Sequence, residues 1–269
     1  MRGQRVQPDL IFDVGACNGD DTAHYLASGY RVVAVEANPA MADHCRRRFA
    51  QEITERRLTV EQVAIWEDPG QRTLWVNDSN PDHTSLIPES GQRNGRYHEV
   101  TVDCVPLGDL FDRHGVPYYL KVDIESADQW CLRAIRPDDR PVYVSVEAHR
   151  GWYLGLLYTA GYNAFKCVDQ SCHNQPFTVN NDTFLGRLRV RALHEERSIL
   201  RKLGHNNAGP YPQGSSGPFG ENTPSGWVDY ENASYEFLHQ RFERRDRGHL
   251  NPYGWFDFHA TWKPEFERF

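Results

Sequence analysis

Three short stretches of this 269-residue chain hold side chains whose types and spacing suit chemistry. The first is DVGACNGD, Asp13 to Asp20, between a strand-like run and a helix-like one. Gly15 and Gly19 allow a tight turn and a close approach of backbone to a ligand. Their G-x-x-x-G spacing is not the G-x-G-x-x-G that seats a dinucleotide pyrophosphate on a helix N-terminus. Glu36 ends the next strand-like run, where a carboxylate can accept both hydroxyls of a ribose. Asp13, Gly15, Gly19 and Glu36 together describe an adenosine site without a pyrophosphate, which is the S-adenosylmethionine pattern.

The second stretch is LKVDIESAD (120–128). Asp123 and Glu125 fall at the C-terminal end of a predicted strand, the edge at which open α/β sheets bind ligands. Ser126 and Asp128 suit the plainer task of capping the helix that follows. The third stretch is SVEAHR (145–150), in which Glu147 and His149 alternate onto one side of a strand end. Histidine is the side chain best suited to removing a proton near neutral pH. The candidate general base therefore lies in the set Asp123, Glu147 and His149, with His149 the first choice. Asp123, Glu125, Glu147 and His149 are also ligands that would allow Mg²⁺, although no spacing demands it and no metal ligand is assigned.

These stretches need a scaffold that brings strand ends together. Strand candidates are DLIFDVG (9–15), RVVAVEA (31–37), LTVEQVAIW (58–66), YYLKVDI (118–124), VYVSVEA (142–148) and AFKCVD (164–169). Helix-like segments alternate with them: 21–29, the unbroken 39–53, 106–115, 127–135 and 152–161. Buried strands joined by helices imply a parallel doubly wound α/β sheet. RTLWVND (72–78) and HEVTVDCV (98–105) read as extra strands inserted before the fourth core strand. Beyond Ser171 the texture changes to a helix candidate (190–203), a Gly/Pro-rich loop (204–228) and a second helix candidate (231–247). YGWFDFHATW (253–262) then alternates like a strand. The expected organisation is one domain over 1–269 with a large insertion, 171–252, before the last strand. Both ends of that insertion would lie at the ligand edge, so its loop is expected to act as a lid.

Composition narrows the function. With 37 acidic against 30 basic residues the net charge is −7, which argues against a nucleic-acid partner. The longest aliphatic run, Val32 to Val35, is far short of the ~20 residues a membrane span needs. The opening MRGQRVQPDL has no apolar core for a signal peptide, and six scattered cysteines read as reduced thiols, so a cytoplasmic location is expected. CVDQSCH (167–173) lacks the second pair that a zinc site needs. GSSGPFG (214–220) has no lysine after it as a P-loop would.

IFDVGACNGD (11–20), VEAN (35–38), LKVDIESAD (120–128) and VSVEAH (144–149) together resemble the FkbM-type methyltransferases, a branch of the Rossmann-like class, over most of residues 9–170. The family carries Gly where this chain has Ser126. The resemblance implies a seven-stranded sheet with an antiparallel last strand, and O-methylation of hydroxyls on sugars, polyketides or related metabolites. The cofactor-binding set is Asp13, Gly15, Ala16, Asn18, Gly19, Glu36, Ala37, Ala64 and Asp123. A polar insertion with Tyr211, Trp227 and nearby Trp255 suits a carbohydrate acceptor, with a polyketide or peptide hydroxyl as the alternative. A homodimer is compatible with this reading. An NAD-dependent oxidoreductase is disfavoured by the glycine spacing, and a non-catalytic SAM-binding protein by the intact cofactor loop.

Overall fold

The computed structural model describes residues 6–93, 95–170, 215–223, 226–246 and 256–267. Among the described residues ten strands run in chain order: β1 Gln7–Val14, β2 Arg31–Val35, β3 Leu58–Glu61, β4 Ala64–Ile65, β5 Gly70–Asn77, β6 Tyr97–Val105, β7 Pro117–Val122, β8 Tyr143–Glu147, β9 Ala164–Asp169 and β10 Phe256–Thr261. Seven of them form one sheet in the order β3-β2-β1-β7-β8-β10-β9, and β4-β6-β5 form a second. The pairs β1–β2, β2–β3, β1–β7 and β7–β8 are parallel, whereas β10 runs antiparallel to β9. This is the doubly wound α/β sheet with an antiparallel last strand.

The chain forms two compact units, residues 1–146 with 155–161, and residues 147–154 with 162–269. In the first unit Leu10 to Val14 of β1 are buried without interruption, as are Tyr119 to Val122 of β7. Such runs mark strands covered on both faces. The helices of this unit are α1 Asp20–Ala27, α2 Pro39–Arg48, α3 Ala50–Thr54, α5 Leu107–His114 and α6 Gln129–Ala134, with a single turn, α4 Pro88–Gly91, on the way. Asn38 starts α2 by accepting from the Ala40 amide, with Pro39 in the first turn where its missing N–H costs nothing. The stretch 39–53 is two helices, not one, because the chain breaks at Phe49.

LTVEQVAIW likewise divides. β3 stops at Glu61 opposite Val35, the last residue of β2. Ala64 and Ile65 then pair with Cys104 and Val105 of β6 in the second sheet. β5 and β6 form an antiparallel ladder from Gly70↔Cys104 to Asn77↔Tyr97. Ala64, Leu74, Val76, Leu86, Val102 and Cys104 make this small sheet's own core.

The second unit is built on the β9–β10 pair and the helix Tyr230–Asp246. Phe237 of that helix packs edge-on against Phe258 of β10 at 4.8 Å. A β-bridge joins Phe165 to Val228. Lys166 of β9 donates to the Gly220 and Thr223 carbonyls and to the Thr223 hydroxyl, and its ammonium lies 4.3 Å over the Trp227 ring. Gln170 donates to the Ser216 carbonyl. Residues 215–223 and 226–228 are thus docked on β9. The rest of the expected lid, the 190–203 helix candidate, Tyr211, Trp255 and the Cys172–His173 end of the C-x₄-C stretch lie outside the described residues.

Candidate functional site

The strand ends of the first unit frame a cleft. Gly15 sits where β1 turns towards α1, with a left-handed φ of 87°. A side-chain carbon there would lie 1.8 Å from the Asp123 carbonyl oxygen, so the close approach of the two strand ends requires glycine. Gly15 and Ala16 donate their amides to the Val35 carbonyl, and Asp123 donates its amide to that of Val14. Gly19, also left-handed, seats the start of α1 against Phe49, which a side-chain carbon would meet at 2.6 Å.

Glu36, just past β2, is the buried carboxylate of the cleft wall. Its Oε2 accepts from the Cys17 amide and its Oε1 from the Asn38 amide, both at 2.7 Å. Burial raises its carboxyl above the ordinary range, and the two amides pull against that rise. Each oxygen keeps acceptor capacity, because a carboxylate offers about four lone-pair sites. Cys17 reaches Glu36 through a left-handed φ of 46° that few non-glycine residues adopt.

Beneath the Gly15 turn lies Lys121, buried in the middle of β7. Its Nζ is 3.2 Å from Asp13 Oδ1, 3.3 Å from Asp21 Oδ2 and 3.6 Å from Asp123 Oδ2. It also donates to the Gly15 carbonyl at 3.2 Å. Burial alone would lower the ammonium, but Asp13, Asp21 and Asp123 outweigh it and hold Lys121 well above the ordinary lysine range. Asp13 is fully buried and also accepts from Thr22 Oγ1 at 2.6 Å.

The opposite wall comes from the small sheet and the loop after β5, with Leu74, Asp82, Ser85 and Leu86 lining the cleft. Cys17 Sγ donates to Asp82 Oδ1 at 3.3 Å, and Ser85 Oγ donates to the Glu125 carbonyl at 2.6 Å. Glu125 and Ser126 form a left-handed turn, with φ of 51° and 75°. Asp128 holds that turn from inside by accepting from the Ile124 and Ser126 amides. Its carboxylate thus braces the turn and makes no side-chain cap to α6.

Of the residues expected to bind a cofactor, Gly15, Glu36, Ala37, Ala64 and Asp123 line this cleft. Asp13 and Ala16 are buried beneath the loop, Gly19 packs on Phe49, and Asn18 exchanges hydrogen bonds with Asp20. These four are placed to shape the turn. Lys121 and Asp21 were not among the sequence candidates. Their signal was a lone lysine inside an apolar strand, since a buried charge has to find a partner.

In the second unit, Glu147 and His149 do come together, with His149 Nε2 3.0 Å from Glu147 Oε2. The Ala148 amide between them donates to the Phe256 carbonyl, which fixes the strand end that carries both. Among the described residues no group of three or more His, Cys, Asp or Glu side chains is set to hold a metal ion, and no helix is long and apolar enough to cross a membrane.

A family model described as the methyltransferase FkbM domain matches residues 13–205. The crystal structure of a precorrin-6y C5,15-methyltransferase from Geobacter metallireducens GS-15 is similar at 14% identity and a TM-score of 0.36, covering 62% of this chain and 70% of that one. No curated protein matches.

Proposed function

We propose that this chain, which belongs to the FkbM methyltransferase family, moves a methyl group from S-adenosylmethionine to a hydroxyl oxygen of a small acceptor, with a sugar or oligosaccharide as the first choice. The carrying observation is the cleft: a backbone turn that admits only glycine at position 15, beside the buried carboxylate of Glu36 at the neighbouring strand end. Glu36 would accept from the ribose hydroxyls, and the apolar wall at Ile65, Leu74 and Leu86 would cover the base.

When bound, S-adenosylmethionine supplies an already activated methyl group on sulfur. The chain's own task is then to align the acceptor oxygen, exclude water and take the hydroxyl proton. The Glu147 carboxylate lies within ion-pair distance of the His149 ring, 3.0 Å from Oε2 to Nε2, and would orient it. Asp123 belongs to the cofactor cleft in this reading, so His149 is the first choice of base and Glu147 its orienting partner.

Calorimetry with S-adenosylmethionine tests the cleft. Glu36→Ala should lose ~1.5–3 kcal/mol, about tenfold or more in affinity. Unchanged affinity would remove Glu36 from the site. Mass spectrometry with a panel of hydroxylated sugars, with and without EDTA, tests the acceptor. A product methylated only on nitrogen or carbon would overturn the oxygen assignment, and loss of turnover in EDTA would bring in a metal.

A further inference from the structure

Methyl transfer as described gives Lys121 no part, yet this side chain links the two strand ends that make the cleft. Its ammonium has three N–H donors, and it is surrounded by oxygens of Gly15, Asp13, Asp21 and Asp123. Asp13 and Asp21 are buried below the turn, with side-chain exposures of 0% and 6%. Asp123 is 25% exposed and lines the cleft. Of the three carboxylates on Lys121, Asp123 is therefore the one that can meet a ligand. The Gly15 carbonyl bonded to the same ammonium belongs to the turn that would cradle it.

We propose that Lys121 is a positioning residue for the methyl donor, tying the Asp123 carboxylate to the Gly15 turn so that it faces the α-ammonium group at the amino-acid end of S-adenosylmethionine. The inference rests on the cofactor reading of the cleft. A lysine suits the task because one compact ammonium can serve oxygens arriving from β1, α1 and β7 at once, which a planar guanidinium cannot do in the same space. Asp13 and Asp21 give that ammonium its buried anchorage, and Glu36 is a further charge felt by it.

Lys121→Met alone would strand buried carboxylates and endanger the fold, so the test replaces a charge pair. The variant Lys121→Met/Asp21→Asn removes one charge of each sign and takes the Lys121 ammonium away from Asp123. Affinity for S-adenosylmethionine is measured by calorimetry in the native chain, in Asp123→Asn, in the paired variant and in the combination of all three changes. Native-like circular dichroism is required of each. If Lys121 acts through Asp123, then Asp123→Asn and the paired variant each lose about tenfold, and their combination loses no more than either. A merely structural lysine would not produce that non-additivity. Native affinity in the paired variant, or losses that multiply to about a hundredfold, would overturn the proposal. No binding by the native chain would instead overturn the cofactor reading itself.

Discussion

Lys121 and Lys166 look alike in sequence, each a lone lysine within an apolar strand, in YYLKVDI and in AFKCVD. Both are almost completely buried. Their surroundings differ in kind. Lys121 has three carboxylates within ion-pair distance, and they hold it charged above its ordinary range despite burial. Lys166 meets carbonyl oxygens, a threonine hydroxyl and the face of Trp227. Burial pushes it down to about 8, with Glu221 opposing the fall and Lys263 adding to it. Depth in the protein alone does not decide whether a lysine stays charged; the oxygens around it do. The first arrangement pins a cleft, and the second pins a loop to a strand.

The sharpest way to break this contrast is to remove each ammonium. Lys121→Met should cost ~3–5 kcal/mol, because it leaves buried carboxylates without their counter-charge. Lys166→Met should cost less, ~1–3 kcal/mol, since only neutral acceptors are left unpaired. Urea unfolding measures both, and equal losses would show that the carboxylates around Lys121 add nothing.

A smaller effect probes the Lys166 side through His259, its register partner on β10. Burial and the neighbouring Lys166 charge lower His259 to about 3 from an ordinary 6.5. Between those values the unfolded chain binds the proton and the folded chain does not. Stability should therefore fall as pH drops below 6.5, by at most ~1.4 kcal/mol per unit from this residue. Comparing urea midpoints at about pH 7 and about pH 5, His259→Asn should lose ~1–2 kcal/mol less than the native chain. Identical slopes in the two proteins would mean that His259 takes up its proton without unfolding.

What could be read from the sequence was periodic or local. The unbroken apolar runs around Phe12 and Leu120 announced strands buried on both faces, and alternation placed Glu147 and His149 on one side. The division of 58–66 falls at the polar pair Glu61-Gln62, where the strand partner changes from β2 to β6, and strand-forming residues on both sides of that pair concealed it. The Lys121 cluster was hidden for a related reason. Its carboxylates come from β1, α1 and the end of β7, and no spacing along the chain announces that meeting. The opposite wall of the cleft was equally illegible, since Ser85 and Asp82 face it only once the small sheet has folded.

The turn at Glu125 and Ser126 has an evolutionary consequence. A glycine at 126 would adopt its left-handed backbone freely, whereas serine has to be held there, and the Asp128 carboxylate bonded to the Ser126 amide does the holding. The two positions are therefore epistatic. A descendant that first acquires glycine at 126 could afterwards vary residue 128 with less harm, but one that loses Asp128 first would leave the left-handed turn without the two amide bonds that brace it from inside. The order in which mutations arrive, and not only their identity, determines which neighbouring sequences this fold can reach.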